Sequence, residues 1–471
     1  MRGIARKGIG VALSCFAHAA AAAGASPVDG ATLSPLWALP FAGMLLSIAL
    51  GPIVAPRLWH HHYGKVTAGW ALAVAVPFAV QFGGPVAAHE LAHMAVAEYV
   101  PFILLLLALY TVTGGIHIRG NLHGSPLANT VVLAIGCGLA SVMGTTGASM
   151  LLIRPLLRMN DDRRHKTHVV VFFIFLVANI GGALTPLGDP PLFLGFLKGV
   201  DFFWTTRAML APTVVACAVL LAVFFCIDAW FYRRAGERRP DPTPDKPLHV
   251  EGMLNYLVLG PLILLSVYVS GVWKPGVDIA LFGTTLALQN VARDAVLVAI
   301  IAVSWTCTPK ALRRAHHFEW GPMIEVAKVF AGIFVTIIPV IAMLRAGERG
   351  AFAPVVALLT DAAGHPRDAL YFWATGLLSS FLDNAPTYLV FFNLAGGDAG
   401  KLMTSLAGTL VAISAGAVFM GANTYIGNAP NFMVKAVAEA RGVRMPGFFG
   451  YMAWSALILL PVFALLTFLF F

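Results

Sequence analysis

The chain has 471 residues, 59% of them hydrophobic and only 11% charged, with a mean hydropathy of +0.81 and a formal net charge of +9. A soluble domain carries about 25% charged residues, so this composition excludes a water-soluble globular protein. The basic excess calls for no nucleic-acid partner, because the Lys and Arg lie in short loops between apolar runs, as membrane topology demands. The five cysteines (Cys15, Cys137, Cys217, Cys226, Cys307) show no metal or redox spacing. Four of them lie in or beside apolar segments, where they read as small hydrophobes.

Arg2, Arg6 and Lys7 precede a short apolar core, Ile9 to Phe16, and a small-x-small site at Ala17-His18-Ala19. This pattern predicts a removable signal over residues 1–25. Apolar segments follow at 36–55, 66–83, 99–118, 130–153, 167–198, 207–231, 254–271, 279–306, 321–344, 370–394, 404–440 and 447–471. They run near 20 residues without period-2 alternation, which predicts an all-α polytopic membrane protein rather than a barrel. His60-His61-His62 reads as a feature of a basic loop at 56–65. His89-Glu90-Leu91-Ala92-His93 fits the zinc motif H-E-x-x-H, but no third ligand stands at a suitable spacing. An amphipathic interfacial turn at 89–98 is the better reading, and no resident metal or cofactor is expected.

Two segments carry residues that break helices. Residues 183–193 read A-L-T-P-L-G-D-P-P-L-F, and residues 422–432 read A-N-T-Y-I-G-N-A-P-N-F. Thr185 matches Thr424, Gly188 matches Gly427, Asp189 matches Asn428, Pro191 matches Pro430 and Phe193 matches Phe432, 239 positions apart. Paired Gly/Pro-interrupted segments in two halves of a membrane chain point to a transporter's binding site. Residues 138–149 (G-L-A-S-V-M-G-T-T-G-A-S) and 376–387 (G-L-L-S-S-F-L-D-N-A-P-T) echo each other as polar-tipped hairpins, pairing Ser141 with Ser379, Thr145 with Asp383 and Thr146 with Asn384.

If 130–153 and 370–394 are re-entrant hairpins and the other ten segments cross, the basic loops 56–65, 119–129, 154–166, 232–253, 307–320 and 441–446 all fall on the cytoplasmic side. The mature N-terminus then lies outside, in agreement with the positive-inside rule. The expected organisation is N-terminal scaffold spans at 36–98, an inverted repeat at 99–231 and a basic linker with connecting spans at 232–320. A second inverted repeat fills 321–471, with broken helices at 167–198 and 404–440. Residues 233–251 are a Pro-rich, charged hinge.

Chemistry concentrates at the tips and breaks. Asp383 and Asn384, followed by Pro386, stand in an apolar surround, where a carboxylate is costly and by default functional. With Ser379, Ser380 or Thr387 they form an oxygen-rich cage suited to a hard cation. The competing reading of Asp383 is a helix N-cap. Asp189, at the break bounded by Gly188 and Pro190, could bind a cation, carry a proton or cap the next half-helix. The partner break, with Gly427 and Pro430, offers Asn423, Thr424, Asn428 and Asn431 but no carboxylate. Thr145 and Thr146 supply hydroxyls, and Asn179 lies within an apolar run. Burial disfavours an ionised carboxylate and a bound cation restores it, so proton and sodium would compete at a site built from Asp189 and Asp383.

N-I-G-G-A-L-T-P-L-G-D-P-P, S-S-F-L-D-N-A-P and G-T-T-G-A-S resemble the ion-transporter superfamily. The nearest members are NhaD-type sodium/proton antiporters and the CitMHS-like citrate-transporter group. The resemblance covers residues 36–471 and is most specific over 138–193 and 376–432. It implies a scaffold and a mobile transport domain, a homodimer and elevator-like alternating access in the bacterial inner membrane, with Asp189, Asp383, Asn384 and Asn428 as ion-site residues. The dicarboxylate branch of that superfamily carries Ser-Asn-Thr at both tips. Gly-Thr-Thr at 144–146 and Asp-Asn-Ala at 383–385 depart from it, which favours cation exchange. The expected activity is therefore exchange of sodium or lithium for protons, with Thr185, Asn423 and Thr424 as further ligands. The alternative is symport of citrate or another organic anion, and a membrane metallohydrolase on His89, Glu90 and His93 is the remote rival.

Overall fold

The computed structural model describes residues 28–234, 246–315 and 318–471. The expected signal segment and the middle of the charged hinge lie outside the described residues. In chain order the helices begin with α1 (Leu39–Val54), α2 (Pro56–Phe82) and α3 (Gly84–His93), which runs through a π turn at Met94–Tyr99 into α4 (Val100–Thr113). Strand β1 (His117–Asn121) leads to α5 (Pro126–Met143), α6 (Thr145–Met159), α7 (Thr167–Leu176), α8 (Pro190–Leu197) and α9 (Phe202–Arg234). Next come β2 (Lys246–Glu251), a π turn at Leu254–Leu259, α10 (Gly260–Val272), β3 (Asp278–Leu281), β4 (Thr284–Ala287), α11 (Leu288–Cys307) and α12 (Lys310–Ala315). The last part holds α13 (Gly321–Thr336), α14 (Ile338–Arg345), α15 (Ala353–Leu359), α16 (Asp368–Phe381), α17 (Asn384–Leu394), α18 (Ala399–Met403), α19 (Ala407–Met420), α20 (Ala429–Ala440) and α21 (Phe448–Phe470).

Among the described residues, nine helical stretches are long and apolar enough to cross a membrane, or ten if α13 and α14 form one span bent by 44°. The bend has a covalent cause. Pro339 lacks an amide hydrogen and cannot continue the helical ladder. Large apolar side chains such as Val80, Leu457 and Phe468 are mostly exposed, an arrangement that a bilayer tolerates and water does not. The chain is a multi-pass, nearly all-helical membrane protein.

Three local expectations need correction. The basic stretch 56–65 is not a loop, because Pro56 at a helix start launches α2 immediately after Ala55. Residues 89–98 form no separate turn but belong to the continuous helical run of α3 and α4, whose polar residues it absorbs without a break. Residues 279–287 form most of an antiparallel hairpin, β3 against β4, with its turn at Phe282 and Gly283. That hairpin delays the start of α11 to Leu288.

The described residues fall into two compact units. The first comprises residues up to 105 together with 272–296 and 320–356. Here α2 packs on α1 and α13. The Phe102 ring packs at a tilt against Phe330 and Phe334, with ring centroids 4.8 and 5.7 Å away, and the Tyr99 hydroxyl donates to the Ala327 carbonyl at 2.8 Å. Aromatic pairs of this kind contribute about 0.5–1.5 kcal/mol each. The leading helix of the second expected repeat thus shares a core with the N-terminal spans.

The second unit comprises residues 106–271, 297–319 and 357–471. Strands β1 and β2 pair antiparallel, joining two stretches expected to be basic cytoplasmic loops, and Arg119 meets Glu251 at 3.0 Å. Helices α5 and α6 meet at Gly144, and α16 and α17 meet at Leu382–Asp383. The segments α7–α8 and α19–α20 are each interrupted, by residues 177–189 and 421–428. Helices α16 and α19 approach until a Cβ on Gly416 would lie 2.6 Å from the Phe372 carbonyl oxygen. Without a hydrophobic drive inside lipid, such small-residue contacts supply the packing that holds helices together.

Candidate functional site

Both interruptions are built by the same contacts. Thr185 Oγ1 donates to the Ser141 carbonyl and Thr424 Oγ1 donates to the Ser380 carbonyl, each at 2.5 Å. Each hydroxyl also accepts from its own turn, from the Leu187 amide in one case and from the Ile426 and Gly427 amides in the other. The repeat therefore keeps one constant spacing, and Ser141 corresponds to Ser380 rather than Ser379. This corrects the expected register of the hairpin tips. Gly144 matches Asp383, and Thr145 matches Asn384. The paired serines at 379–380 satisfy a sequence match either way, and only the contact across to the broken helix separates them.

Gly144 turns the first tip at φ 82°, a left-handed conformation that side chains rarely adopt. At the second tip Asp383 is extended and caps α17, its Oδ1 accepting from the Ala385 amide at 3.1 Å. The capping alternative is therefore realised, although it uses one carboxylate oxygen. Asp189 holds the equivalent cap position on α8 but makes no capping bond with its side chain. Pro190 and Pro191 follow it and have no amide hydrogens to offer. Its carboxylate instead turns inward.

There it meets three neutral donors. Oδ1 accepts from Thr145 Oγ1 at 2.9 Å and from Asn428 Nδ2 at 3.3 Å, while Oδ2 accepts from Asn384 Nδ2 at 2.5 Å. Asp189 is 1% exposed, and among the described residues no basic side chain pairs with it. Asp383, next to Asn384 in the chain, is half-buried and close enough for its charge to act on Asp189. Asn384 is fully buried and its Oδ1 has no hydrogen-bond partner. A buried, unpartnered acceptor beside an uncompensated carboxylate is an arrangement completed by a cation or a proton.

Asparagines extend the centre. Asn428 also donates to Asn179 Oδ1 and to the Ala178 carbonyl, both at 3.2 Å. Asn179 donates to Asn431 Oδ1 at 2.7 Å, and Asn431 donates to the Gly421 and Thr424 carbonyls. The two breaks, far apart in sequence, are thereby one network. Gly188 gives its carbonyl to the Thr145 amide at 2.8 Å, which docks the first tip on the first break. Gly427 lies so near Gly421 that a Cβ on Gly421 would be 3.3 Å from the Gly427 oxygen. Pro190 and Pro430 open the two half-helices.

The remaining expected residues take supporting places. The hydroxyls of Thr185 and Thr424 are committed to the hairpin backbones. Ser379 Oγ donates to the Ala417 carbonyl at 2.6 Å, and Ser380 Oγ donates to the Gly376 and Met420 carbonyls. Asn423 donates to Ser380 Oγ at 2.9 Å and leaves its own Oδ1 unpartnered. Thr146 is half-buried on the first tip. His89 and His93 lie in α3 with rings 6.5 Å apart, and no three His, Cys, Asp or Glu gather as a metal site among the described residues.

One buried cluster escapes the sequence reading. Asp228, fully buried in α9, meets Arg163 at 2.8 Å, His168 at 2.7 Å and Asn129 at 3.0 Å. Asn160 bridges Asn129 and Arg163. An acid inside the apolar run of α9 was the available signal. Its partners come from three other segments and carry no local mark. The cluster is charge-paired, in contrast to Asp189.

Comparison with known proteins agrees with this architecture. Two proteins named as uncharacterized transporters, from Mycobacterium bovis and Mycobacterium tuberculosis, are each 25% identical to the chain over 333 residues, covering 68% of it and 71% of their own length. A family model described as "Putative citrate transport" matches residues 30–471. The protein is a membrane transporter and not an enzyme, and it belongs to that citrate-transport family.

Proposed function

We propose that the protein exchanges sodium or lithium for protons across a bacterial inner membrane by alternating access. Asp189 and Asp383 would take cation and proton in turn, with Asn384 and Asn428 positioning them. The observation that carries this reading is the environment of Asp189, a buried carboxylate with three neutral donors and no basic partner among the described residues. When ionised it needs a positive charge, and either a proton or a small cation supplies one. A hard cation also takes oxygen ligands, which the unpartnered Asn384 Oδ1 provides. The two cargoes exclude each other at one carboxylate, and that exclusion couples their movements in opposite directions.

Symport of citrate or another organic anion with a cation is the second reading, and the family description favours it. The local chemistry is less suited to an anion. Helix starts bind anions through free amide hydrogens, and Pro190, Pro191, Pro386 and Pro430 remove such donors around the centre. The test is dequenching of a pH-sensitive dye in proteoliposomes with an imposed pH gradient. Sodium or lithium alone should collapse the gradient, and Asp383→Asn should abolish the response while the chain remains folded and inserted. Uptake that requires citrate, with no response to cations alone, would overturn antiport in favour of symport.

A further inference from the structure

We propose that the protein has a second, separate binding site, for an anion carrying phosphate, between the C-terminal ends of α6 and α20. A cavity of about 330 Å³ opens there, with Arg158, Lys166 and Arg441 in its wall and Asp161 as the one carboxylate among its lining residues. Arg154 lies one turn before Arg158 on the same helix face, and Arg441 is close enough to repel both. None of these three arginines is paired with a carboxylate among the described residues. Arg154 Nη1 and Arg158 Nε are buried without any acceptor, although Arg158 Nη2 donates to the Ile118 carbonyl at 2.8 Å. Buried guanidinium donors that lack acceptors on α6, faced across the cavity by the exposed Arg441 at the end of α20, give an excess of positive charge that fits a compact anion of more than one oxygen. This is the opposite of the Asp189 centre, which has no basic partner among the described residues.

Phosphate is favoured over a carboxylate by the number of cations and by the position of the cavity. All the basic residues belong to stretches that the positive-inside rule assigns to the cytoplasmic face, where anionic phospholipid headgroups concentrate. The ligand is thus either a lipid headgroup or a soluble phosphate compound. The site has a mechanical connection to the transport centre. Helix α6 begins at Thr145 and α20 begins just after Asn428, both of which bind Asp189. An occupant would clamp the far ends of the two helices whose near ends hold that carboxylate. The binding itself is independent of which ion is carried.

The experiment uses the delipidated full-length protein, with binding read by native mass spectrometry and thermal stability. The probes are inorganic phosphate, and nanodiscs of phosphatidylglycerol against phosphatidylcholine. Wild type should bind phosphate, or gain stability in phosphatidylglycerol over phosphatidylcholine. Arg441→Gln should weaken the effect about tenfold, the loss of one charge-assisted contact. Arg441 is exposed, so this variant should fold, and Arg444→Gln, outside the cavity wall, should behave as wild type. A response to inorganic phosphate alone identifies a soluble ligand, and a response confined to phosphatidylglycerol identifies a lipid. Equal responses of wild type, Arg441→Gln and Arg158→Gln to every probe would overturn the proposal.

Discussion

The two breaks in the second unit use one backbone device and present different groups to the centre. Each holds its hairpin through a threonine hydroxyl on a serine carbonyl, and each has a proline in the first two residues of its second half-helix, just after an inward-facing side chain. At the first break that side chain is Asp189, and at the second it is Asn428. Even the helix crossings mirror each other with roles exchanged. Gly181 admits Cys137 at the first, whereas at the second Met420 stands in the broken helix and Gly376 in the hairpin gives way. Duplicated backbone geometry thus brings two polar tips and two breaks to one point, while divergence at this position leaves the breaks themselves with one carboxylate, Asp189, and the other carboxylate of the centre, Asp383, stands on the second tip. Two carboxylates in contact would repel and force one to stay protonated. At the breaks a carboxylate and an amide meet instead, and the amide of Asn428 donates to Asp189.

Making the first break like the second tests this most severely. Asp189→Asn should lower cation affinity by about 100-fold or more, in line with removal of one partner from a buried charge interaction, and abolish gradient collapse in proteoliposomes. Making the second break like the first should fail for a different reason. Asn428 donates to three acceptors, Asp189 Oδ1, Asn179 Oδ1 and the Ala178 carbonyl, which a carboxylate would face with oxygen. Asn428→Asp should therefore cost about 1–3 kcal/mol, seen as a lower melting temperature, and should not rescue Asp189→Asn when the two are combined. Asn384→Ala removes a donor to Asp189 and should weaken sodium binding about tenfold, measured from the sodium dependence of exchange. The smallest effects sharpen the equivalence of the locks. Thr185→Val and Thr424→Val should each cost about 1 kcal/mol, and a clear difference between their melting temperatures would show that the two copies are not interchangeable.

Much of the site was legible because it violates membrane rules. Proline, glycine and carboxylates in apolar runs are conspicuous, and Asp189, Asp383 and Asn384 could be picked out for that reason. Their roles were less legible. Asp383 supplies a cap, and Thr185 and Thr424 supply locks, because a hydroxyl's partner is set by which carbonyl reaches it across the fold. The register of the hairpin tips depended on such a contact too. The Asp228 cluster, the pairing of β1 with β2 and the basic cavity all join segments distant in sequence, none of which is unusual by itself.

The sequence by itself determined that the chain lives in a membrane, where its helices break, and that its two halves repeat. Those properties follow from local hydropathy, from the missing amide hydrogens of proline and from internal similarity. Only the tertiary structure decided that Asp189 faces three neutral donors, that Asn179, Asn428 and Asn431 join the two breaks, and that arginines without a carboxylate partner among the described residues collect at the far ends of α6 and α20. Hydrogen bonding and charge pairing depend on distances of a few ångströms between segments hundreds of residues apart, and such distances exist only once the chain has packed.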